Sequence, residues 1–444
     1  MSSLARWFNA NSYEVVGYDK TKTPLTEALT EEGIYVFYED EVSEIELELI
    51  EARKDWLVVY TPAIPQNSII KNSFLDKGVE LYKRSQVLGF ITEKYFTIGV
   101  AGTHGKTSTS CLLAHMLNHA GVNCTAFLGG IATNYNSNLI MAAEQDKQVI
   151  VVEADEFDKS FLTLSPSIAI VTTDDPDHLD IYGNDEVFKK TFQEFASKIT
   201  NDGALIKSSS VSKSLGEGLN LNITEYGEGC KVRSEIVSYE NGDSVFTYFG
   251  SETIDGLSLS LPGEHNVKNA TAAIAACLEF GLNANQIRAG INSFQGVKRR
   301  FEYILRKDDL VYVDDYAHHP IELSNCLNAV KALFPDKKIS VVFQPHLFSR
   351  TQDFMEGFAE SLALVDELIL LDIYPARELP IEGVTSRVLF DKVKMDNKKL
   401  LSKEELLASV EKDAEDFEVL LTIGAGDIGE LVLPIKERLE VVLC

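Results

Sequence analysis

The chain has 444 residues, room for about three domains, and its 45% hydrophobic and 25% charged content are those of a globular protein. A net charge of −27 argues against a nucleic-acid surface. No stretch reads as a signal peptide or as an apolar span of about 18 residues, so export and membrane insertion are not expected and a cytoplasmic protein is.

The chain opens on Met1-Ser2-Ser3-Leu4-Ala5-Arg6, followed by candidate strands Tyr13–Gly17 and Trp56–Tyr60. Between them, Glu27 to Glu51 reads as a solvated acidic helix and loop. A domain boundary is expected between Tyr82 and Tyr95. The strand Thr97–Val100 then runs into Gly102-Thr103-His104-Gly105-Lys106-Thr107-Ser108, with a helix predicted over Ser108–Ala120. A strand, a glycine turn and a helix start aim backbone N–H groups at one point, which suits a phosphate. Lys106 adds a positive charge, and the Thr107 hydroxyl suits a Mg²⁺ bridging phosphate oxygens. The general phosphate loop has a glycine five residues before its Gly-Lys pair. Val100 stands there, and the glycine is Gly102 instead.

Strand Val149–Glu153 leads into Glu153-Ala154-Asp155-Glu156. Glu153 suits a Mg²⁺ site with Thr107, or a helix cap, a role open equally to Asp155. Strand Ile168–Thr172 leads into Asp174-Asp175-Pro176-Asp177-His178-Leu179-Asp180. His178 reads either as a second metal ligand among acids or as an ordinary loop histidine. Residues 230–261 alternate with period two around Asn241-Gly242, which predicts a small antiparallel insert. Gly263-Glu264-His265-Asn266-Val267-Lys268-Asn269 precedes the helix Ala270–Phe280. There His265 and Asn266 either cap the helix or read an adenine edge.

A second boundary is expected near Gly296-Val297. Arg299-Arg300 falls just past it, where an arginine suits a phosphate. Strand Val311–Asp314 leads into Asp315-Tyr316-Ala317-His318-His319-Pro320, and Ile339–Phe343 into Gln344-Pro345-His346-Leu347-Phe348-Ser349-Arg350-Thr351. Leu368–Asp372 and Leu420–Ile423 complete the strands. Helical stretches separate most of them, which predicts parallel, doubly wound α/β sheets with ligands at the carboxyl ends of strands. Gly424-Ala425-Gly426-Asp427-Ile428-Gly429 fits the dinucleotide pattern, but too little chain follows for the second strand of that unit, so it reads as a tight turn. The six cysteines, Cys111, Cys124, Cys230, Cys277, Cys326 and Cys444, include no Cys-x-x-Cys pair and predict reduced thiols.

The tight loop Gly102–Thr107 resembles the ATP loop of the Mur ligase and folylpolyglutamate synthase superfamily. Glu153–Asp158, Asp177-His178, His265–Asn269, Arg299-Arg300-Phe301, Asp314–Pro320 and Gln344–Thr351 extend a resemblance to the Mur ligase family over nearly the whole chain. The resemblance implies three α/β domains, each on a mainly parallel sheet with flanking helices. These are a UDP-sugar-binding domain over 1–88, a central ATP-binding domain with the antiparallel insert over 89–297, and a Rossmann-like ligase domain over 298–444. It implies ATP and Mg²⁺, and formation of an amide bond through an acyl phosphate. Gln344–Thr351 and Asp372-Ile373-Tyr374-Pro375-Ala376-Arg377-Glu378 favour the alanine-adding branch, with UDP-N-acetylmuramate and L-alanine as substrates. The alternatives are the branch that attaches a recycled tripeptide and a truncated, inactive nucleotide-sugar-binding homologue. A monomer or weak homodimer is expected.

By matching motif, the resemblance gives Lys106, Glu153, His178, His318, His346 and Arg350 the catalytic roles. Thr107, Glu153 and His178 become metal ligands. Gly102, Thr103, His104, Gly105, Lys106, Thr107, Ser108, His265, Asn266, Asn269, Arg299, Arg300 and Asp315 would bind ATP. Ser2, Asn138, Tyr316, His318, His346, Arg350 and Arg377 would contact the other substrates. Some relatives carry a carbamylated lysine, for which Lys189 and Lys190 are near the right place. The family loop Gly-x-Gly-Gly-x-Gly-Met-Ser is matched only at its end, by Met1-Ser2, so the expectation is a start assigned too late.

Overall fold

A computed structural model describes residues 1–41, 56–144, 147–175, 182, 184–240, 242–376 and 378–442. Two compact units emerge: Met1–Arg233 with Ala270–Gly290, and Ser234–Asn269 with Ile291–Cys444.

The first unit opens with two small parallel pairs. Val16–Tyr18 (β1) pairs with Tyr35–Phe37 (β2), and Val58–Tyr60 (β3) with Leu81–Lys83 (β4). Its main sheet comprises Phe96–Ala101 (β5), Cys124–Ala132 (β6), Ser137–Ile140 (β7), Val149–Glu153 (β8), Ile168–Val171 (β9), Ala204–Ser208 (β10) and Asn222–Tyr226 (β11). Their order is β11-β10-β9-β5-β8-β6-β7, parallel throughout except β6 with β7. The inner strands are buried on both faces, which is why their sequences read as continuous apolar runs and not as alternations.

The N-terminal segment has a small cluster of its own, Leu29, Ile34 and Val36, and also packs into this unit's larger core. Leu4, Val87, Leu88 and Ile91 belong to one cluster with Ile150, Val152, Phe161 and Phe188. The helix Ser2–Ala10 lies against the edge of the sheet, with the Trp7 ring 6.4 Å from that of Phe127 on β6.

In the second unit, Arg233–Glu240 (β12), Asp243–Phe249 (β13) and Thr253–Leu259 (β14) form the expected insert. β13 and β14 are antiparallel, and burial alternates along β13 with Phe246 and Tyr248 inside. Gly242 at the turn takes the left-handed φ of +77°, while Asn241 lies outside the described residues. The larger sheet comprises Glu302–Arg306 (β15), Val311–Asp315 (β16), Ile339–Phe343 (β17), Glu367–Leu370 (β18), Lys398–Leu400 (β19) and Val419–Ile423 (β20). Their order is β15-β16-β20-β17-β18-β19, with only β15 antiparallel to its neighbour.

The dinucleotide-like run after β20 is the tight turn expected, and each glycine answers to a different neighbour. A Cβ on Gly424, at φ +149°, would lie 2.7 Å from the Gln344 carbonyl oxygen. One on Gly426 would lie 2.4 Å from Gln344 Oε1, and one on Gly429 would lie 2.6 Å from an Arg299 nitrogen.

Candidate active site

In the first unit the site forms at the carboxyl ends of β5, β8 and β9. β5 ends at Ala101 and the helix Lys106–His119 begins two residues earlier than its sequence suggested, capped by Gly105 at φ +82°. Thr103 Oγ1 donates to the Asp175 carbonyl (2.6 Å), and the His104 N–H donates to Thr173 Oγ1 (3.0 Å). Thr107 and Ser108 are buried in the first helical turn. Gly102 is required twice over: its φ is +127°, and a Cβ there would sit 2.2 Å from Thr172 Oγ1 and 2.8 Å from the Thr173 nitrogen. Gly102→Ala is therefore expected to destabilise the protein by about 2–3 kcal/mol, from strain and overlap together. It should also weaken nucleotide binding, as read by urea unfolding and by calorimetric titration of ATP.

Lys106 is held by groups the sequence did not single out. Its Nζ donates to Glu156 Oε2 (2.7 Å), Glu156 Oε1 (2.9 Å) and the Gly102 carbonyl (2.7 Å). The Lys106 side chain is 12% exposed and that of Glu156 only 1%. Burial by itself pulls the ammonium's pKa down, but the carboxylates of Glu156, Asp155 and Glu153 outweigh it and the net shift is upward. Lys106 is thus a fixed positive charge. The Glu153 carboxylate accepts from the Gly129 N–H at 3.1 Å. Asp155 closes a local turn with the Phe157 N–H at 3.1 Å.

Asp174, expected in an acidic metal turn, is spent differently. Its carboxylate accepts from the Ser212 N–H (3.0 Å) and from the Ser212 hydroxyl. Asp177, His178 and Asp180 lie outside the described residues. Among the described residues no three His, Cys, Asp or Glu side chains converge as a metal cluster. Lys189 pairs with Asp185 at 2.8 Å on an exposed helix face. Ser2 and Asn138, 136 positions apart, meet in a 2.9 Å hydrogen bond.

The second unit gathers the remaining candidates at the carboxyl ends of β16, β17, β18 and β20. The two adjacent arginines both stand over the Tyr316 ring, each at 5.2 Å, but their further partners differ. Arg299, at φ +60°, turns its guanidinium into the sheet: Nε donates to Asp314 Oδ2 (2.9 Å) and Nη2 to the Gly424 carbonyl (2.6 Å). In this ion pair the Asp314 side chain is 1% exposed and that of Arg299 25%. Arg300 stands over the Tyr316 ring at 5.2 Å, and its charge bears on Asp315, His265 and His318. Burial pushes the Asp315 carboxyl up to about 6, against Arg300 and the N–H groups of Ala317 and Phe301.

His318 and His346 face one another with ring centroids 6.1 Å apart, and His346 stacks on Tyr374 at 5.7 Å. His318 Nδ1 lies 3.0 Å from the Tyr316 carbonyl, and the backbone N–H of His318 donates to Glu322 Oε2 at 3.1 Å. His346 Nδ1 is buried without a hydrogen-bond partner among the described residues. Burial, then the charges of His318 and Arg350, hold His346 down at about 4. Burial likewise lowers His265 to about 4. Asn266 is buried, its amide donating to the Pro262 carbonyl at 2.9 Å, and Asn269 lies one turn further on. Ser349 is tied through its N–H to Glu378 at 2.9 Å, next to Arg350. Arg377 lies outside the described residues.

These two histidines at about 4, like His115, which burial also lowers to about 4, give a pH dependence with a definite sign. The unfolded rings take up protons near pH 6.5, and the folded ones refuse them until about 4. Their contribution to stability is complete above pH 6.5 and is lost as pH falls through about 4. Urea midpoints are expected to drop across that window, and His346→Gln should make the drop shallower.

Residues 1–96 match the Mur ligase family catalytic domain, 100–277 the Mur ligase middle domain, and 299–426 the Mur ligase glutamate ligase domain. A UDP-N-acetylmuramate–L-alanine ligase of Cytophaga hutchinsonii is 50% identical over 98% of this chain and 94% of its own. One of Porphyromonas gingivalis is 43% identical over 99% and 96%. Among solved structures, the UDP-N-acetylmuramate-alanine ligase of Thermotoga maritima superposes with a TM-score of 0.81 at 25% identity, over 99% of this chain and 96% of that one. A murein peptide ligase of Psychrobacter arcticus shares the fold, with a TM-score of 0.71 at 23% identity, over 100% and 96%. With three domain models matched in order and near-full-length relatives at such identity, the chain belongs to the Mur ligase family.

Proposed function

We infer that the chain is an ATP-dependent ligase that joins L-alanine to the muramate carboxylate of UDP-N-acetylmuramate in peptidoglycan synthesis. The observation that carries this reading is the near-full-length similarity to ligases of that name, joined to a buried, charged Lys106 inside a glycine loop at a strand end. A carboxylate is a poor acyl donor, so it must gain a leaving group. Its oxygen attacks the γ-phosphorus of ATP, the bond to ADP breaks, and an acyl phosphate forms. The neutral amine of alanine then attacks the carbonyl carbon and inorganic phosphate departs.

Catalysis in such a scheme is positioning and charge neutralisation. Lys106 and the helix N-terminus beside it meet the phosphates. The Thr107 hydroxyl and the Glu153 carboxylate are hard oxygen donors of the kind Mg²⁺ takes, with His178 completing the set. The ion would offset phosphate charge as the bond shifts. Arg300 and Asp315 belong to the nucleotide side, with His265, Asn266 and Asn269 near the base. Tyr316, His318, His346 and Arg350 hold the muramate carboxylate and the amino acid. An uncharged His346 accepts a hydrogen bond from an ammonium without repelling it. Small molecules are the partners, in the cytoplasm, with the protein acting as a monomer or weak homodimer. Among the described residues no helix is long and apolar enough to cross a membrane.

The test is phosphate release with each substrate omitted in turn. Release is expected only with UDP-N-acetylmuramate, L-alanine, ATP and Mg²⁺ together. Equal release with a muramyl tripeptide's peptide in place of alanine would overturn the substrate assignment.

A further inference from the structure

The pair Ser2–Asn138 is oriented by residues to which nothing above gives a role. Arg6 Nη1 donates to Asn138 Oδ1 at 2.9 Å. A guanidinium only donates, so the contacted amide atom must be the oxygen and the orientation of Asn138 is fixed. Asn138 Nδ2 is then turned to Ser2 Oγ at 2.9 Å. Ser2 Oγ accepts that bond, which leaves its own hydroxyl proton to donate. The other edge of Arg6 is clamped by Glu32, with Nε to Oε2 and Nη2 to Oε1 both at 2.7 Å. The Arg6 side chain is only 13% exposed. Arg6 donates both ways, to Glu32 and to Asn138, and from Arg6 through Asn138 to Ser2 the hydrogen bonds run in one direction, ending on a donor at the first turn of the helix Ser2–Ala10. That turn holds no acidic side chain and no side-chain cap, and a helix N-terminus beside a hydroxyl donor favours an acceptor-rich, anionic ligand.

We propose that Arg6, braced by Glu32, is a positioning residue for the nucleotide-sugar substrate: it sets the Asn138 amide so that Ser2 presents a hydroxyl donor to that anion. The proposal rests on the assignment of Ser2 and Asn138 to the substrate site. Arg6 touches Asn138 and Glu32 and acts on the substrate only through them.

Steady-state kinetics of the full-length protein test it. Arg6→Ala is expected to raise KM for UDP-N-acetylmuramate about tenfold, with KM for ATP and for L-alanine unchanged. Arg6→Lys keeps the charge and alkyl stem but lacks the fork that spans Glu32 and Asn138. It should show the same KM rise, so a folding defect in the alanine variant cannot decide the outcome. In an Asn138→Ala background, Arg6→Ala should add little, because the group it positions is gone. If Asn138→Ala raises that KM and neither Arg6 variant does, the positioning role is overturned. If Asn138→Ala and Ser2→Ala both leave it unchanged, the substrate assignment itself fails, and the positioning role with it.

Discussion

Lys106→Ala is expected to lower kcat by about a thousandfold, since a preorganised charge on the transferring phosphoryl group is lost. It should also destabilise the fold, because the carboxylate of Glu156 is 1% exposed and keeps no cation beside it. Removing one partner of a buried ion pair costs about 3–5 kcal/mol. The double variant Lys106→Ala/Glu156→Gln separates the two effects. Its urea midpoint should return most of the way to that of the parent while phosphate release stays absent. Recovery of turnover in the double variant would mean that Lys106 serves the fold and not the phosphate.

Arg299→Ala and Arg300→Ala are expected to fail in opposite ways. Asp314 is fully buried, and burial raises its pKa against the pull of Arg299, its ion-pair partner at 2.9 Å. Without Arg299 the Asp314 carboxylate keeps only the hydroxyl of Thr422, at 2.7 Å, and the Gly424 carbonyl loses a donor. A cost of about 3–5 kcal/mol follows for Arg299→Ala, visible as a lower melting temperature, with KM for ATP little changed in the protein that remains folded. Arg300 shares the Tyr316 ring with Arg299 but has no such ion pair among the described residues. Its loss should raise KM for ATP and leave melting nearly unchanged. A rise in KM from Arg299→Ala with no loss of stability would return that residue to the nucleotide.

The arginine pair also marks how far the sequence can be read. Parallel strands with buried faces announce themselves as apolar runs, and the residues after them stand where ligands gather, so the phosphate loop, Glu153 and the His318 and His346 turns were legible. What distinguishes Arg299 from its identical neighbour is a backbone φ of +60° and a partner 15 residues away, neither of which is written locally. Glu156 stood in plain view, yet its role depends on Lys106, 50 positions back. Arg6 and Asn138 are 132 positions apart. The strands of the N-terminal segment are three residues long, too short for period to show, and its first and last helices borrow a core from the next sheet. The left-handed φ of Gly102 and the backbone pressed against it are why that position of the phosphate loop must be glycine.

The turn after β20 shows what a sequence fingerprint measures. A glycine-rich pattern is a mould, recording where something presses too close for a side chain. In a dinucleotide site the object cast is a pyrophosphate. Here the mould is filled from within, by the backbone and amide of Gln344, the side chain of Tyr374 and the guanidinium of Arg299. The spacing is that of a nucleotide cradle, and the occupant is the protein itself.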